Sequence, residues 1–88
     1  MTTATTYPLP EPPLRRMFRV QAGLTLQQAA DLFEVSPSAV YRWEAAGDEA
    51  ANPVGRNRRV YAAWCADQRA LLIEKLRTEW AVPARRAA

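Results

Sequence analysis

The chain has 88 residues, a formal net charge of +3 and no histidine. This length is enough for one small domain with a helical core and excludes a large catalytic scaffold. Because the chain has only one cysteine and no histidine, a zinc site or a Cys-His nucleophile cannot be assembled, and we expect no metal, no cofactor and no enzymatic activity.

The first thirteen residues carry four prolines and one charged side chain, Glu11. Such a segment buries little apolar surface, so it predicts a solvated, disordered tail. Pro12 and Pro13 at its end are suited to the first turn of a helix, which we expect over about residues 14–22.

Apolar residues of this first helix recur at spacings of three and four. They predict a buried stripe of Leu14, Met17, Phe18 and Ala22. The arginines that fall outside the stripe are Arg15, Arg16 and Arg19. Each is expected either to touch a phosphate group or to belong to an ordinary solvated basic face.

A second helix is predicted to begin after Thr25. The Thr25 hydroxyl can accept a hydrogen bond from the Gln28 amide while the Gln28 side chain accepts from the Thr25 amide, which is a capping box. One buried face then follows at i, i+3, i+4 and i+7. It consists of Leu26, Ala29, Ala30 and Phe33.

A third helix is predicted from Pro37 to Ala46. Ser36 is suited to its N-cap and Pro37 to its first position, where the missing amide hydrogen costs nothing. Gly47 is suited to the C′ position that ends a helix.

Only Glu34 and Val35 separate the second helix from the third, so the two helices must meet at a sharp corner and share one apolar core. Val35 and Val40 stand where a hydrophobic staple would fix the direction of the chain.

The side chains of the third helix divide into two faces. The face toward the core carries Ala39, Val40 and Trp43. The opposite face carries Ser38, Tyr41, Arg42 and Ala45. A helix held by its back that presents these side chains is suited to the major groove of DNA, where an arginine can donate two hydrogen bonds to O6 and N7 of guanine.

These motifs resemble the helix-turn-helix regulators of the xenobiotic-response-element type, which include the phage repressor and Cro proteins. The resemblance covers roughly residues 14–64 and follows an Arg-bearing first helix, AGLT at 22–25, Ala30, V-S-x-S at 35–38 and Y-R-W-E at 41–44. It implies an all-α fold, a small four- to five-helix lambda-repressor-like helix-turn-helix domain with a C-terminal helix.

The resemblance also implies roles for individual residues. Those that would face DNA bases are Pro37, Ser38, Tyr41 and Arg42. Those that would lie near phosphates are Gln27 and Gln28. Glu34 replaces a glycine that is frequent at this corner in the family, and a left-handed backbone there would cost a non-glycine residue roughly 1 kcal/mol.

Helical spacing resumes after a polar loop and predicts a helix from Gly55, with Val60, Tyr61 and Trp64 facing inward. Its start, where backbone amides and guanidinium groups together favour phosphate, carries Arg56, Asn57, Arg58 and Arg59. We expect contacts to the DNA backbone from this group and from Arg19. The alternative is a β-hairpin with its turn at residues 55–57, which would form a wing like that of excisionases.

The C-terminal part carries a broad apolar surface, formed by Leu71, Leu72, Ile73, Leu76 and Trp80. Three consecutive large residues cannot all face one small core, so part of this surface should meet another chain. A two-fold dimer would place two recognition helices on half-sites about 34 Å apart or a multiple of that. The alternative is a helix that folds back over a monomer, and residues 55–80 could be one helix or two, with Asp67 capping the second.

These expectations divide the chain into a tail (1–13), a helix-turn-helix domain (14–66), a C-terminal dimerisation helix (67–82) and a second tail (83–88). They predict a sequence-specific regulator, a repressor or autoregulator that binds a two-fold symmetric operator in double-stranded DNA as a homodimer. No small-molecule ligand is expected. Without a secretory signal or a long apolar run, we expect a cytoplasmic location and no membrane. The alternative functions are a protein-binding adaptor or antitoxin-like partner that uses the C-terminal apolar helix, and a winged excisionase-like factor.

Overall fold

The part of the chain that the structure describes folds into four α-helices and one short 3-10 helix. The structure, a computed structural model, describes residues 7–87, with side chains described as far as Glu79. In chain order the elements are α1 (Pro12–Gln21), α2 (Leu26–Phe33), α3 (Pro37–Glu44), the 3-10 helix (Gly47–Glu49) and α4 (Gly55–Ala87). The all-α prediction is confirmed. The β-hairpin wing is wrong, because residues 55–57 form the first turn of α4.

Both helices of the predicted pair begin at the residues that cap them. The amide of Gln28 donates to Thr25 Oγ1 at 3.1 Å, and the amide of Thr25 donates to Gln28 Oε1 at 2.9 Å. At the start of α3 the Ala39 amide donates to Ser36 Oγ at 3.1 Å. Each cap satisfies amides that a helix start would otherwise leave unpaired, so the sequence fixes where both helices begin.

The corner between α2 and α3 is a left-handed turn at Glu34, with φ 59° and ψ 46°. The Val35 amide donates to the Ala30 carbonyl at 2.9 Å and the Glu34 amide to the Asp31 carbonyl at 3.3 Å. This pair of hydrogen bonds is a Schellman motif, which ends α2 and directs the chain into α3.

One aromatic core joins α4 to the helix pair. The rings of Tyr61 and Trp64 meet Phe33 edge to face, with centroids 5.1 and 5.3 Å apart. Edge-to-face contacts are a favoured geometry of aromatic pairs and add to the free energy gained from burial. The buried residues of the cluster are Phe18, Ala29, Ala30, Phe33, Val40, Trp43, Tyr61 and Cys65.

The buried face of α1 differs from the predicted stripe. Phe18 is buried as expected, but Leu14 and Met17 are 42% and 40% exposed, and Arg15 is only 5% exposed. Ala22 is exposed as well. The face is rotated toward Arg15 because oxygen atoms of the protein surround its guanidinium group, as described below, and compensate its loss of water.

The third helix ends at Glu44, two residues before the predicted end, and Gly47 is not its C′ residue. Ala45 follows the helix in an extended conformation, with φ −85° and ψ 162°. The Ala51 amide returns to donate to the Arg42 carbonyl at 3.1 Å, so the following loop folds across the end of α3. Gly47, at φ 75°, instead starts the 3-10 helix.

The fourth helix is continuous through Asp67 to Ala87, which decides between the one-helix and two-helix alternatives. The helix also continues through most of the predicted tail, 83–88. Val60 is 39% exposed, contrary to the prediction, because α4 turns Tyr61, Ala62 and Cys65 toward the core. None of the helices within residues 7–87 combines the length and apolar character that a membrane span requires.

The N-terminal segment was expected to be a disordered tail as far as residue 13. Residues 1–6 lie outside the described part of the chain. The prediction is wrong for residues 7–13, since Leu9 packs against the core and the helix already begins at Pro12. The Pro10 carbonyl accepts a hydrogen bond from Arg15 Nε at 2.7 Å, which ties the segment to α1.

Replacing Glu34 by glycine should raise the free energy of unfolding by about 1 kcal/mol, because glycine adopts the left-handed conformation without the Cβ clash. Denaturant unfolding followed by circular dichroism measures the change. Glu34→Ala is the matched control, since it removes the same side chain but keeps the Cβ. Equal stabilities of the glycine and alanine variants would contradict the assignment of strain to this corner.

Candidate nucleic-acid interface

The third helix has one buried face and one exposed face, as its sequence predicts. Val40 and Trp43 are 1% and 5% exposed and belong to the core. The four residues expected to face bases are all exposed; they are Pro37, Ser38, Tyr41 and Arg42. The structure therefore presents these side chains together on one outer surface, which we call the α3 face.

A buried arginine of α1 holds the C-terminal end of α3. Arg15 Nη1 donates to the Trp43 carbonyl at 2.9 Å and to Asn52 Oδ1 at 3.0 Å. The Trp43 carbonyl belongs to the last turn of the helix, where carbonyls lack partners within the helix and carry a partial negative charge. The guanidinium group thus fixes the position of α3 relative to α1.

A second arginine of α1, one turn further along, holds the last residue of α3. Arg19 Nε and Nη2 donate to the two carboxylate oxygens of Glu44 at 2.6 and 3.0 Å, and Nη1 donates to the Leu24 carbonyl at 2.9 Å. This is a bidentate ion pair, the strongest arrangement of these two groups. The hydrogen bond to Glu44 raises the pKa of the Arg19 guanidinium above its ordinary value.

The ion pair changes the role that the sequence suggested for Arg19. All three guanidinium nitrogens donate to oxygens of the protein, and the side chain is 14% exposed. A phosphate could bind Arg19 only in competition with Glu44, whose side chain is 6% exposed. We therefore leave Arg19 out of the DNA surface proposed below.

Arg42 differs from the arginines of α1. It is exposed, and its guanidinium group makes no hydrogen bond or ion pair with any residue within 7–79, where side chains are described. A groove of about 470 Å³ lies beside it, lined by Ser38, Tyr41, Arg42 and residues 48–51. The guanidinium donors of Arg42 are thus available to a ligand on the α3 face.

Tyr41 has a partner that the sequence analysis did not find. Its hydroxyl donates to Glu49 Oε1 at 2.9 Å, although half of the Tyr41 surface is exposed. The hydrogen bond to the Glu49 carboxylate is the main reason why the pKa of Tyr41 is raised above its ordinary value. Asp48 and Glu49 are adjacent in the sequence, and spacing alone could not reveal that their loop folds back onto α3.

The residues expected near phosphates are exposed in two places. Gln27 and Gln28 lie on the first turn of α2, where Gln27 Nε2 donates to Asp31 Oδ1 at 3.0 Å. On the first turns of α4, Arg56, Arg58 and Arg59 are exposed and Asn57 is half-buried. Their contacts with DNA stay predictions.

The apolar residues of α4 do not share one environment. Leu72 packs against the core and lines an apolar groove of about 590 Å³ between α4, α1 and the N-terminal segment. Ile73 and Leu76 line the same groove and are both 46% exposed. Leu71 is 60% exposed and does not line that groove. The Trp80 side chain lies outside the described residues.

The cysteine sits apart from the α3 face, in the core. Cys65 is buried, and burial raises the pKa of its thiol to about 11. A thiol with this pKa is a poor nucleophile at neutral pH. Within the described residues no group of three or more Cys, Asp or Glu side chains is placed to hold a metal ion.

Two short helices that meet at a left-handed corner, the second held from behind and exposing polar side chains, define a helix-turn-helix DNA-binding domain. The family model described as "Helix-turn-helix" matches residues 16–52. Residues 16–52 are therefore similar to the Cro/C1-type helix-turn-helix family, and the match supports a DNA-binding transcription regulator.

The matched segment contains all of α2 and α3 and ends before α4. The arginines at the start of α4 therefore lie outside it, and so does most of the apolar groove. Comparison with curated proteins and with solved structures found no match.

Replacing Arg15 by methionine should lower the free energy of unfolding by about 2 to 4 kcal/mol, because the Trp43 carbonyl and the Asn52 amide lose their charged partner. Thermal and denaturant unfolding measure the loss. Arg16→Met is the control: Arg16 is the adjacent, exposed arginine, and its replacement should change stability by less than about 0.5 kcal/mol. Similar losses for both variants would contradict a special role for Arg15.

Proposed function

We propose that the protein is a sequence-specific repressor or autoregulator that occupies a two-fold symmetric operator as a homodimer. The observation that carries the proposal is Arg42: it is exposed and unpaired within the described residues, on a helix whose other face is buried. Since Arg15 and Arg19 fix the end of that helix, its backbone would lose little conformational freedom when the Arg42 donors enter a major groove.

Base recognition is assigned to the α3 face. Arg42 is suited to guanine, because its fork of donors matches O6 and N7. Ser38 and Tyr41 supply further polar groups, and Pro37 offers an apolar contact. Discrimination would come from these residues, since contacts to phosphate carry no direct sequence information.

Affinity is assigned to contacts with the DNA backbone. The proposed groups are Gln27, Gln28, Arg56, Asn57, Arg58 and Arg59. The exposure of the three arginines at the start of α4 supports this proposal, because phosphate contacts need both charge and reach. Such contacts release counterions, so we expect binding to weaken steeply as the salt concentration rises.

Dimerisation is assigned to the apolar groove between α1 and α4. Ile73 and Leu76 on one wall and Leu14 on the other are each more than two-fifths exposed, which leaves apolar surface in water. A second copy that covers this groove would present a second α3, as a two-fold operator requires. Leu72 lines the same groove and also packs against the core, and we leave Leu71 out of the interface because it does not line the groove.

The same groove favours a second candidate function. It could hold a different protein, as in an adaptor or an antitoxin-like partner, and the chain alone would then be monomeric. Light scattering on the purified protein separates the two functions, because only the first gives a stable dimer.

Selection from a random DNA pool tests the proposed function, and it should yield a motif with two-fold symmetry. Replacing Arg42 by alanine should then cost about 1 to 3 kcal/mol of binding free energy on the selected site and relax the preference at one base position, as titration of labelled duplexes would measure. Arg58→Ala is the comparison variant: it should weaken binding to all sequences alike and reduce the salt slope by about 1. Equal losses for Arg42→Ala on selected and random DNA would contradict base recognition by Arg42.

Replacing Leu76 by glutamate should dissociate the dimer, because a carboxylate would then have to be buried without a partner. Leu76 is already 46% exposed in the chain itself, so the fold should survive. Leu71→Glu introduces the same charge on α4 outside the groove and should leave the dimer intact. Light scattering gives both masses, and a monomeric wild-type chain or dissociation by both variants would argue against this interface.

A further inference from the structure

The hydrogen bond between Tyr41 and Glu49 lies on the α3 face, beside the groups proposed to meet DNA bases. The Tyr41 hydroxyl donates to Glu49 Oε1 at 2.9 Å, and both residues are exposed. They line the same groove as Arg42. A ligand that reaches Arg42 therefore meets a tyrosine whose hydroxyl proton is already engaged.

That proton decides what the hydroxyl can do. A tyrosine hydroxyl has one hydrogen to donate and lone pairs with which to accept. An ionised carboxylate can only accept, so the hydrogen between Tyr41 and Glu49 must come from Tyr41. The oxygen of Tyr41 is then left with lone pairs alone for any further partner.

The loop that carries Glu49 is held in place against α3. Glu49 ends the short 3-10 helix Gly47–Glu49, in which the Ala50 amide donates to the Gly47 carbonyl at 3.1 Å. The Ala51 amide donates to the Arg42 carbonyl at 3.1 Å. The first hydrogen bond closes the 3-10 turn, and the second ties the residue that follows it to α3. Together they keep the Glu49 backbone next to the turn of α3 that carries Tyr41 and Arg42.

We propose that Glu49 is a specificity residue, which restricts Tyr41 to accepting a hydrogen bond and so makes it select a base amino group in the major groove, N6 of adenine or N4 of cytosine. The proposal rests on the proposed function and names the chemistry of one position of its site. The groups rejected are O6 of guanine and O4 of thymine, because each presents an acceptor to an oxygen that has no proton to give.

The charge of Glu49 supports a role in selection over one in affinity. A carboxylate near the DNA surface repels phosphates, so it weakens binding to every sequence. When the protein is bound at the preferred base, the Tyr41 oxygen accepts a hydrogen bond from the base. The Glu49 carboxylate then keeps its hydrogen bond from Tyr41. At a keto base Tyr41 would have to give up one partner to meet the other.

The experiment first locates the base position and then probes it. Selection from a random DNA pool with the wild-type chain and with Tyr41→Phe identifies the position whose preference depends on the hydroxyl. Duplexes are then made with the preferred base, with the analogue that lacks only its amino group (purine for adenine, 2-pyrimidinone for cytosine), and with a keto base. Dissociation constants are measured for the wild type and for Tyr41→Phe, Glu49→Gln and Asp48→Asn.

The wild type should prefer adenine or cytosine at this position, and removal of the amino group should weaken its binding about three- to tenfold while leaving Tyr41→Phe unchanged. Glu49→Gln should accept a keto base with less than about threefold loss, because the amide can donate to Tyr41 and free its proton. Asp48→Asn is the matched control: it removes the same charge from the neighbouring residue and should keep the wild-type preference.

Three results would overturn the inference: a keto base preferred by the wild type at the Tyr41 position, an unchanged preference in Glu49→Gln, or an amino preference that persists in Tyr41→Phe. No enriched sequence with the wild-type chain would instead overturn the proposed function itself. The two failures are therefore distinguishable. Circular dichroism of each variant checks the fold, which these exposed positions should not disturb.

Discussion

The buried guanidinium group of Arg15 is the contact on which the arrangement of the other helices depends. It donates to the carbonyls of Pro10 and Trp43 and to the Asn52 side chain, which belong to the N-terminal segment, the end of α3 and the loop before α4. A charge with this little exposure is tolerated only where oxygen atoms replace its water. Those oxygens converge only when the three segments are correctly assembled, so the charge penalises other packings of the same helices.

The arginines of this small protein serve two different purposes. Arg15 and Arg19 have their donors turned inward onto oxygens of α3 and its surroundings, whereas Arg42 points outward. A count of basic residues therefore overstates the charge that a duplex would meet. Arg15 and Arg19 hold the α3 face in position, and Arg42 provides the hydrogen-bond donors that a ligand on this face can meet.

Much of the fold could be predicted from local sequence, because caps and apolar spacing act within a few residues. Thr25, Gln28 and Ser36 fixed the starts of α2 and α3, and the corner followed from the two residues left between them. The buried face of α1 could not be predicted in this way: Arg15 is buried, and Arg19 half-buried, through partners 25 to 37 residues away in sequence. The α3 face could be predicted, because it follows from helical spacing. Glu49, eight residues from Tyr41, was missed because its contact depends on where α3 ends.

The length of α4 carries its C-terminal end well beyond the residues that pack on the core. Leu72 packs on the core, and the helix continues beyond it to Ala87. At the usual rise per residue the part of α4 after Leu72 measures about 22 Å, so a tilt of about 10° at the core would move the end of the helix by about 4 Å. A change in core packing that tilted α4 would therefore displace the C-terminal end of the helix more than the residues that pack on the core.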